Sequence, residues 1–543
     1  MRGLNPRHPG CKPGALPAEL IARDVLIIAG RKKKVNKISI KNQKKNFSAL
    51  VSLLRNIPIT CIIEHYYFIS ELRMIYTDTR DKSASVSFKT AVLNGMNEKT
   101  GGLYIPVSFP KLESSFLFRE PVPSFRDIAF EISKLYTGDE IPHQDLERII
   151  ADCYPFTSQV VPIDPTTYVL ELHHGPTCAF KDFGARFMAR MMAYFNKDED
   201  EALHILVATS GDTGSAVGSA FQDVPGIDVT ILYPKGKISP LQEKQLSTFT
   251  GNVRSLAVEG TFDDCQKLVK TAFTDSDLRN KFRLSSANSI NISRLLPQSF
   301  YYVYSSLVVA SRAPLDSKID NPSIIFVVPS GNFGNLTSGL IAKEMGAPIE
   351  GFVAATNSNR TIPDWIATGA YTARPSVSTV SNAMDVGAPS NYERIASMYS
   401  LEQIRAMFAS YWLDDEGTKQ AIRNCNTRTG YIIDPHGAVG WQAWDDMRRG
   451  GMQNLISGKP ADYTKPGLTP NIPSWARKIT EKQAVGVLLE TAHPAKFGDI
   501  VEEAIGREPV MPDRLEKVLL LPDMSIPIQN NYEHFKQWLI ANL

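Results

Sequence analysis

Downstream of Met74, short apolar runs alternate with segments whose apolar residues recur every three or four positions. His204-Ile-Leu-Val-Ala208 is one such run and breaks off in Thr-Ser-Gly. Asp228–Tyr233 is a second and stops at Pro234, Ser323–Val328 a third that ends in Pro329-Ser-Gly, and Ile349–Ala355 a fourth. Short, β-branched runs bounded by Gly or Pro predict buried strands. Between them Gly214–Gln222 and Thr337–Met345 carry helical spacing, and Phe183–Phe195 predicts a helix with Met188, Met191 and Met192 on its apolar face. Those methionines read as core packing. Strands alternating with helices predict parallel α/β units, whose ligands gather where strands end and helices begin. The Pro- and Gly-containing stretch Ser457–Ser474 predicts a long surface loop.

Two of the predicted strand ends run into loops of small residues. Thr209-Ser-Gly-Asp-Thr-Gly-Ser215 follows the first, and Ser330-Gly-Asn-Phe-Gly-Asn335 follows the third. Such turns let backbone N–H groups approach an anion, and a following helix adds its dipole. Alone, each serves structure as readily as a ligand. Neither fits the G-x-x-x-x-G-K-[ST] loop or the full G-x-G-x-x-G fingerprint, which argues against nucleotide phosphates.

The chain has 543 residues, more than one simple core holds, so two or more domains are expected. A formal net charge of +2 gives no reason to propose nucleic acid as a partner. No stretch approaches the ~20 uninterrupted apolar residues of a membrane span, and no membrane partner is expected. The six cysteines, Cys11, Cys61, Cys153, Cys178, Cys265 and Cys425, form no C-x-x-C pair. They read as reduced thiols of a cytoplasmic protein.

Residues 1–73 differ from the rest. Arg31-Lys32-Lys33-Lys34 is followed by Lys37, Lys41, Lys44 and Lys45, with few acids. Basic leaders can be transit peptides, but the apolar, aromatic Ile59–Ile69 segment fits neither that nor a signal peptide. Coherent sequence begins at Met74, which is the expected physiological start, residues 1–73 then coming from an over-extended reading frame; a genuine basic extension is the alternative.

Several motifs in order give a resemblance. They are His173-His174-Gly-Pro-Thr-Cys-Ala-Phe-Lys181-Asp182, Ser210-Gly-Asp-Thr-Gly214, Leu232–Lys244, Asn288-Ser-Ile-Asn-Ile-Ser-Arg294, Pro329-Ser-Gly-Asn-Phe-Gly-Asn335 and Glu490-Thr-Ala-His-Pro-Ala-Lys496. From about Met74 to the C-terminus the chain resembles the threonine synthase family, in its longer bacterial and fungal branch. The resemblance implies a tryptophan-synthase-β-like, type II pyridoxal-phosphate α/β fold. Two α/β subdomains, within residues 156–500, are expected after an N-terminal domain at 74–155, with a C-terminal segment at 501–543.

It also implies roles. Lys181 would carry pyridoxal 5'-phosphate as a Schiff base, although a lone lysine before a helix is ordinarily a solvated charge. Gly331, Asn332, Phe333 and Asn335 would receive the cofactor phosphate, and Thr491 would offer the pyridine nitrogen a neutral hydroxyl. Ser210, Asp212 and Thr213 are expected near the substrate carboxylate. Asn291 and Arg294 would share one helical face, with the Arg294 fork on a substrate phosphate; an Arg closing a domain interface is the other reading. His173, His174, His436 and His493 are open in role, since a histidine near a site is more often a structural hydrogen-bonder than an acid or base, and no ligand spacing supports a metal. The implied reaction converts O-phospho-L-homoserine and water to L-threonine and phosphate. Its rivals are another type II lyase, such as a threonine or serine dehydratase, and a non-catalytic binder of phosphorylated amino acids. Oligomeric state is open between monomer and homodimer.

Overall fold

A computed structural model describes residues 74–458, 462 and 464–543. The expectation of an over-extended reading frame concerns residues 1–73 and lies outside the described residues.

The chain enters through a two-stranded antiparallel ribbon, β1 (Tyr76–Asp78) with β2 (Tyr104–Pro106). Helix α1 (Phe125–Thr137) follows, and its sequence dictates its start. Ser124 and Asp127 close a reciprocal capping box, and Phe125, Ile128, Ala129, Ile132 and Tyr136 line one buried face. Strands β3 (Gln159–Asp164) and β4 (Thr167–Glu171) then form an antiparallel pair. Helix α2 (Lys181–Asn196) leads to a second sheet. There β5 (Leu203–Ala208), helix α3 (Asp212–Phe221), β6 (Ile227–Pro234), β7 (Val253–Glu259) and β8 (Arg283–Ser286) follow one another. The chain returns through helix α4 (Gln298–Asp316) to β9 (Ser323–Pro329), helix α5 (Gly334–Glu344), β10 (Gly351–Thr356), β11 (Phe408–Trp412), β12 (Gly467–Leu468) and β13 (Ala484–Glu490). It ends with β14 (Ile526–Gln529) on the edge of the second sheet.

The larger sheet has the order β12-β11-β10-β9-β13-β4-β3 and is parallel except for its two edge strands. The smaller, β14-β7-β6-β5-β8, is parallel throughout. This is the expected pair of α/β units behind an N-terminal element. Parallel strands are covered on both faces, which is why they read as continuous apolar runs. In β9 Ile325 and Val327 join a cluster with Trp441 and Trp444, while Ile324, Phe326 and Val328 face the opposite cluster. Each such side chain contributes about 1.5–3 kcal/mol on burial.

Three expectations change. Helix α5 starts at Gly334, earlier than Thr337, because its first turn is polar and lacks the apolar spacing. The described part of 457–474 is not merely a surface loop. β12 pairs with Tyr411 and Trp412, and Thr469 is buried, its N–H donating to Ser410 O at 3.0 Å. The helix Gly498–Ile505 runs through the expected boundary at 500/501, and β14 fastens the C-terminal segment to the second sheet. Among the described residues no helix is long and apolar enough to cross a membrane.

A Cβ on Gly351 in β10 would stand 1.9 Å from Nε1 of Trp475, whose indole N–H is already committed to Met407 O at 2.8 Å. Gly351→Ala is therefore expected to destabilise the fold by ~1–3 kcal/mol. Urea unfolding checks this; an unchanged midpoint would mean that the Trp475 contact yields freely.

Candidate active site

Because β4, β13 and β9 are parallel neighbours, the segments leaving their C-terminal ends meet. Glu171 stands opposite Glu490, and Leu488 opposite Val327. Beyond the sheet the pairing continues: Phe180 N donates to Thr491 O at 2.8 Å, His493 N donates to Cys178 O at 3.0 Å, and Ala179 bridges Ala492. The loop before Lys181 is thus zipped to the loop that carries Thr491. Both, together with Ser330–Asn335, border one cavity of about 450 Å³. The second sheet contributes Ser210 and Thr213 from the end of β5, and Asn288, Ser289 and Arg294 from the segment after β8.

Lys181 is the first residue of α2, and its side chain is only 12% exposed. Its Nζ lies 3.6 Å from Asp212 Oδ2. Burial pushes the Lys181 amine below the ordinary lysine range, Asp212 opposes that, and Lys496 and Arg294 reinforce it. Burial alone would raise the Asp212 carboxyl, but Lys496 and Lys181 hold it well below the usual carboxylate range. Asp182, the next residue along, accepts from Thr177 N and Oγ1 at 2.8 Å each, and burial pushes its carboxyl up to about 6.

The Ser330–Asn335 loop is built to offer donors. Phe333 adopts the left-handed region at φ 59°, and α5 begins immediately after it. The first N–H groups of a helix have no acceptor within it and favour an anion. Asn335 Oδ1 accepts from the hydroxyls of Tyr301 (2.7 Å) and Tyr302 (2.8 Å), which leaves Nδ2 as a buried donor with no partner. The Asn332 side chain does other work. Its Nδ2 donates to Ser289 Oγ at 2.6 Å and its Oδ1 accepts from Ser390 N at 2.5 Å, so it shapes the loop. Gly331 has no room for a side chain, since a Cβ would lie 2.7 Å from Met384 Cα.

Arg294 is buried, donates through Nη1 to Ala287 O at 2.5 Å, and keeps an unpartnered Nε. Burial lowers its guanidinium to about 10, against the pull of Asp182. Orphaned donors of this kind are costly unless a ligand meets them. Lys181, Thr491, Asn335 and Arg294 therefore frame a cavity that suits a phosphorylated, carbonyl-bearing group.

Two expected site residues are placed elsewhere. Asn291 does not share a face with Arg294, because the helix Ile292–Leu295 starts after it. It is the N-cap, accepting from Ser293 N at 3.0 Å and donating to Val92 O at 2.8 Å. Asp212 does not line the cavity; it sits behind Lys181, where its charge would repel a substrate carboxylate and is taken by two lysines.

Sequence reasoning passed over Lys496 and Gln242, which both bind Asp212 Oδ1, at 2.7 and 2.9 Å. Both lie inside the quoted motifs. It also left open the histidines. His436 borders the cavity, with Nδ1 at 2.9 Å from Asp434 Oδ2 and Nε2 accepting from Ala383 N at 3.2 Å. Burial lowers His173 to about 3 and His493 to about 4. Among the described residues, Glu171, His173 and His174 bring donor atoms within 4.8 Å of one another. Arg514 holds the carbonyls of His173 (2.9 Å) and His174 (3.2 Å), and that cation opposes a metal there.

The chain is similar to known proteins over most of its length. The family described as threonine synthase N terminus matches residues 75–154, pyridoxal-phosphate dependent enzyme matches 160–454, and threonine synthase, C-terminal matches 474–539. The chain is 38% identical to threonine synthase of Escherichia coli (strain K12) over 449 residues, 82% of this chain and 94% of that one. It is 33% identical to threonine synthase of Saccharomyces cerevisiae, over 82% of this chain and 93% of that one. Crystal structures of the Escherichia coli and yeast threonine synthases superpose with TM-scores of 0.72 and 0.73, at 36% and 31% identity. Each covers 87% of this chain and 100% of its own.

Asn335→Ala removes the orphaned donor. Loss of one charge-assisted hydrogen bond is worth ~1.5–3 kcal/mol, so the Kd for pyridoxal phosphate should rise about 10- to 150-fold. Titration by absorbance measures it, and an unchanged Kd would take Asn335 out of the site.

Proposed function

This chain belongs to the threonine synthase family of pyridoxal-phosphate-dependent enzymes, and on that premise we propose that its cavity converts O-phospho-L-homoserine and water to L-threonine and phosphate. The observation that carries the reading is the convergence on one cavity of a buried lysine, Thr491, Asn335 and Arg294, the last two each keeping a buried side-chain donor without a partner. Pyridoxal phosphate, when bound, supplies the electron sink that lets protons leave carbons next to the amine.

The rest falls to the chain. Lys181 holds the cofactor, and its amine, when free, takes and returns the protons at Cα and Cβ of the substrate. Its buried setting, which lowers its proton affinity, suits both tasks. The main chain of Gly331–Asn335 and the Asn335 amide receive the cofactor phosphate. Thr491 gives the ring nitrogen a neutral hydroxyl. Arg294 meets the phosphate that leaves the substrate Cγ, and Ser210 and Thr213 orient its carboxylate. Phe180, Leu103 and Met96 in the cavity wall limit water to the molecule that adds at Cβ. A cytoplasmic location belongs to the same reading, supported by four buried cysteines without disulfides among the described residues.

Phosphate release and threonine formation from O-phosphohomoserine test the activity. Lys181→Ala should lose at least ~10³-fold in kcat. Arg294→Ala should lose about 10- to 150-fold in kcat/KM while the cofactor absorbance stays intact. Full turnover by Arg294→Ala would take Arg294 out of the site, and a wild-type enzyme that forms no threonine from O-phosphohomoserine would favour another lyase.

A further inference from the structure

Lys496 has no place in the mechanism above, yet it is one of the most deeply buried charges in the chain. Its side chain is 0% exposed, and its Nζ lies 2.7 Å from Asp212 Oδ1 and 3.1 Å from the carbonyl of Thr177. The short turn Pro494–Phe497, a few residues beyond Thr491, delivers it, and Ser239 Oγ donates to its carbonyl at 3.0 Å. Lys496 does not border the cavity, so no ligand there explains it. A buried ammonium is costly without a partner. Its partner is the same carboxylate that faces Lys181. Asp212 gives Oδ1 to Lys496 and to Gln242 Nε2 (2.9 Å), and only Oδ2, at 3.6 Å, to Lys181.

We infer that Lys496 is a positioning residue for Lys181: by engaging Asp212 it draws that carboxylate off the Lys181 amine and leaves the amine free to hold the cofactor and to carry protons. One desolvated carboxylate faces two ammonium groups, and the nearer pair takes most of its charge. Without Lys496, Asp212 would close on Lys181 and favour a protonated nitrogen there. The positive charge of Lys496 adds to this, since it also disfavours a proton on Lys181. The inference rests on the proposed role of Lys181 as cofactor anchor.

The test is a pH titration of the visible absorbance of the lysine-bound cofactor in the full-length holoenzyme. Lys496→Met should raise the midpoint by ~1–2 pH units, from removal of one buried charge within several ångströms. Asp212→Asn should move it the other way, and Lys496→Arg, which keeps the charge, should stay near wild type. If Lys496 merely latches the Thr177 loop, the midpoints will not follow this order. Equal midpoints in wild type and Lys496→Met, or a downward move in Lys496→Met, overturn the inference. Should Lys496→Met fail to fold, Gln242→Met removes the other grip on Oδ1 and must shift the midpoint upward by a smaller amount; no shift overturns it equally. A wild-type holoenzyme without a lysine-bound cofactor band would instead overturn the reading of Lys181 itself, and with it this one.

Discussion

The parallel register between β4 and β13 is the constraint on which the site depends. It sets Glu171 beside Glu490, and everything beyond the sheet on that edge follows from the match. Lys181 and Thr491 lie more than half the chain apart in sequence, yet main-chain hydrogen bonds on either side of Ala179 and Ala492 fix their loops together. Backbone pairing is a rigid means of setting two side chains against one ligand. It also explains the local conformations. Cys178 takes a left-handed φ of 57° so that its carbonyl can accept from His493, and Phe180 turns its N–H to Thr491 before α2 begins. A slip of one residue in this register would turn every side chain of a strand buried on both faces.

On this frame the chain places an excess of buried positive charge. Lys181 and Lys496 share the buried carboxylate of Asp212, and Arg294 stands near them with Asp182 as its nearest opposite charge. Such a cluster is poor evidence for stability, because desolvation consumes most of the Coulombic gain. Its use is in what it selects: a cavity with uncompensated donors and cations at its walls gains from binding anions. The arrangement is also unequal. Asp212 is closer to the lysine that meets no ligand than to the one that borders the cavity, so the group facing the ligand is the less strongly paired.

How much of this was legible in the sequence depended on the period of each element. β5, β6 and β9 were readable because burial on both faces makes them unbroken apolar runs, and the loops after β5 and β9 followed from them. The start of α5 was not, because its first turn, Gly334 and Asn335, is polar toward the cavity. Asn291 was misplaced by one helical boundary: a short helix that opens with its own cap leaves the cap off the face it precedes. Asp212 was placed in the right neighbourhood with the wrong partner. A loop of small polar residues suggests an anion site, and nothing local to it shows that Lys496 arrives from the far end of the chain. The order of the motifs identified which segments meet; it could not say which of their side chains face the ligand.

The Ser330–Asn335 loop shows why that distinction matters. Its asparagines look alike in sequence and do opposite things. Asn332 spends both ends of its amide on Ser289 and Ser390, and its carbonyl accepts from Asn391 Nδ2 at 3.1 Å. Those ties bind the loop to the segment after β8 and to the strap that follows Met384, so its main chain is held in place before any ligand arrives. Asn335 spends only its oxygen. Two tyrosine hydroxyls donate to that one atom, which fixes the orientation of the amide and turns its nitrogen into an unspent donor. An aspartate there would accept the same two hydroxyls but present a second anionic oxygen to the phosphate. The amide is thus required by the pair Tyr301 and Tyr302 on α4 together with the charge of the group to be bound, and neither condition is visible within the loop itself.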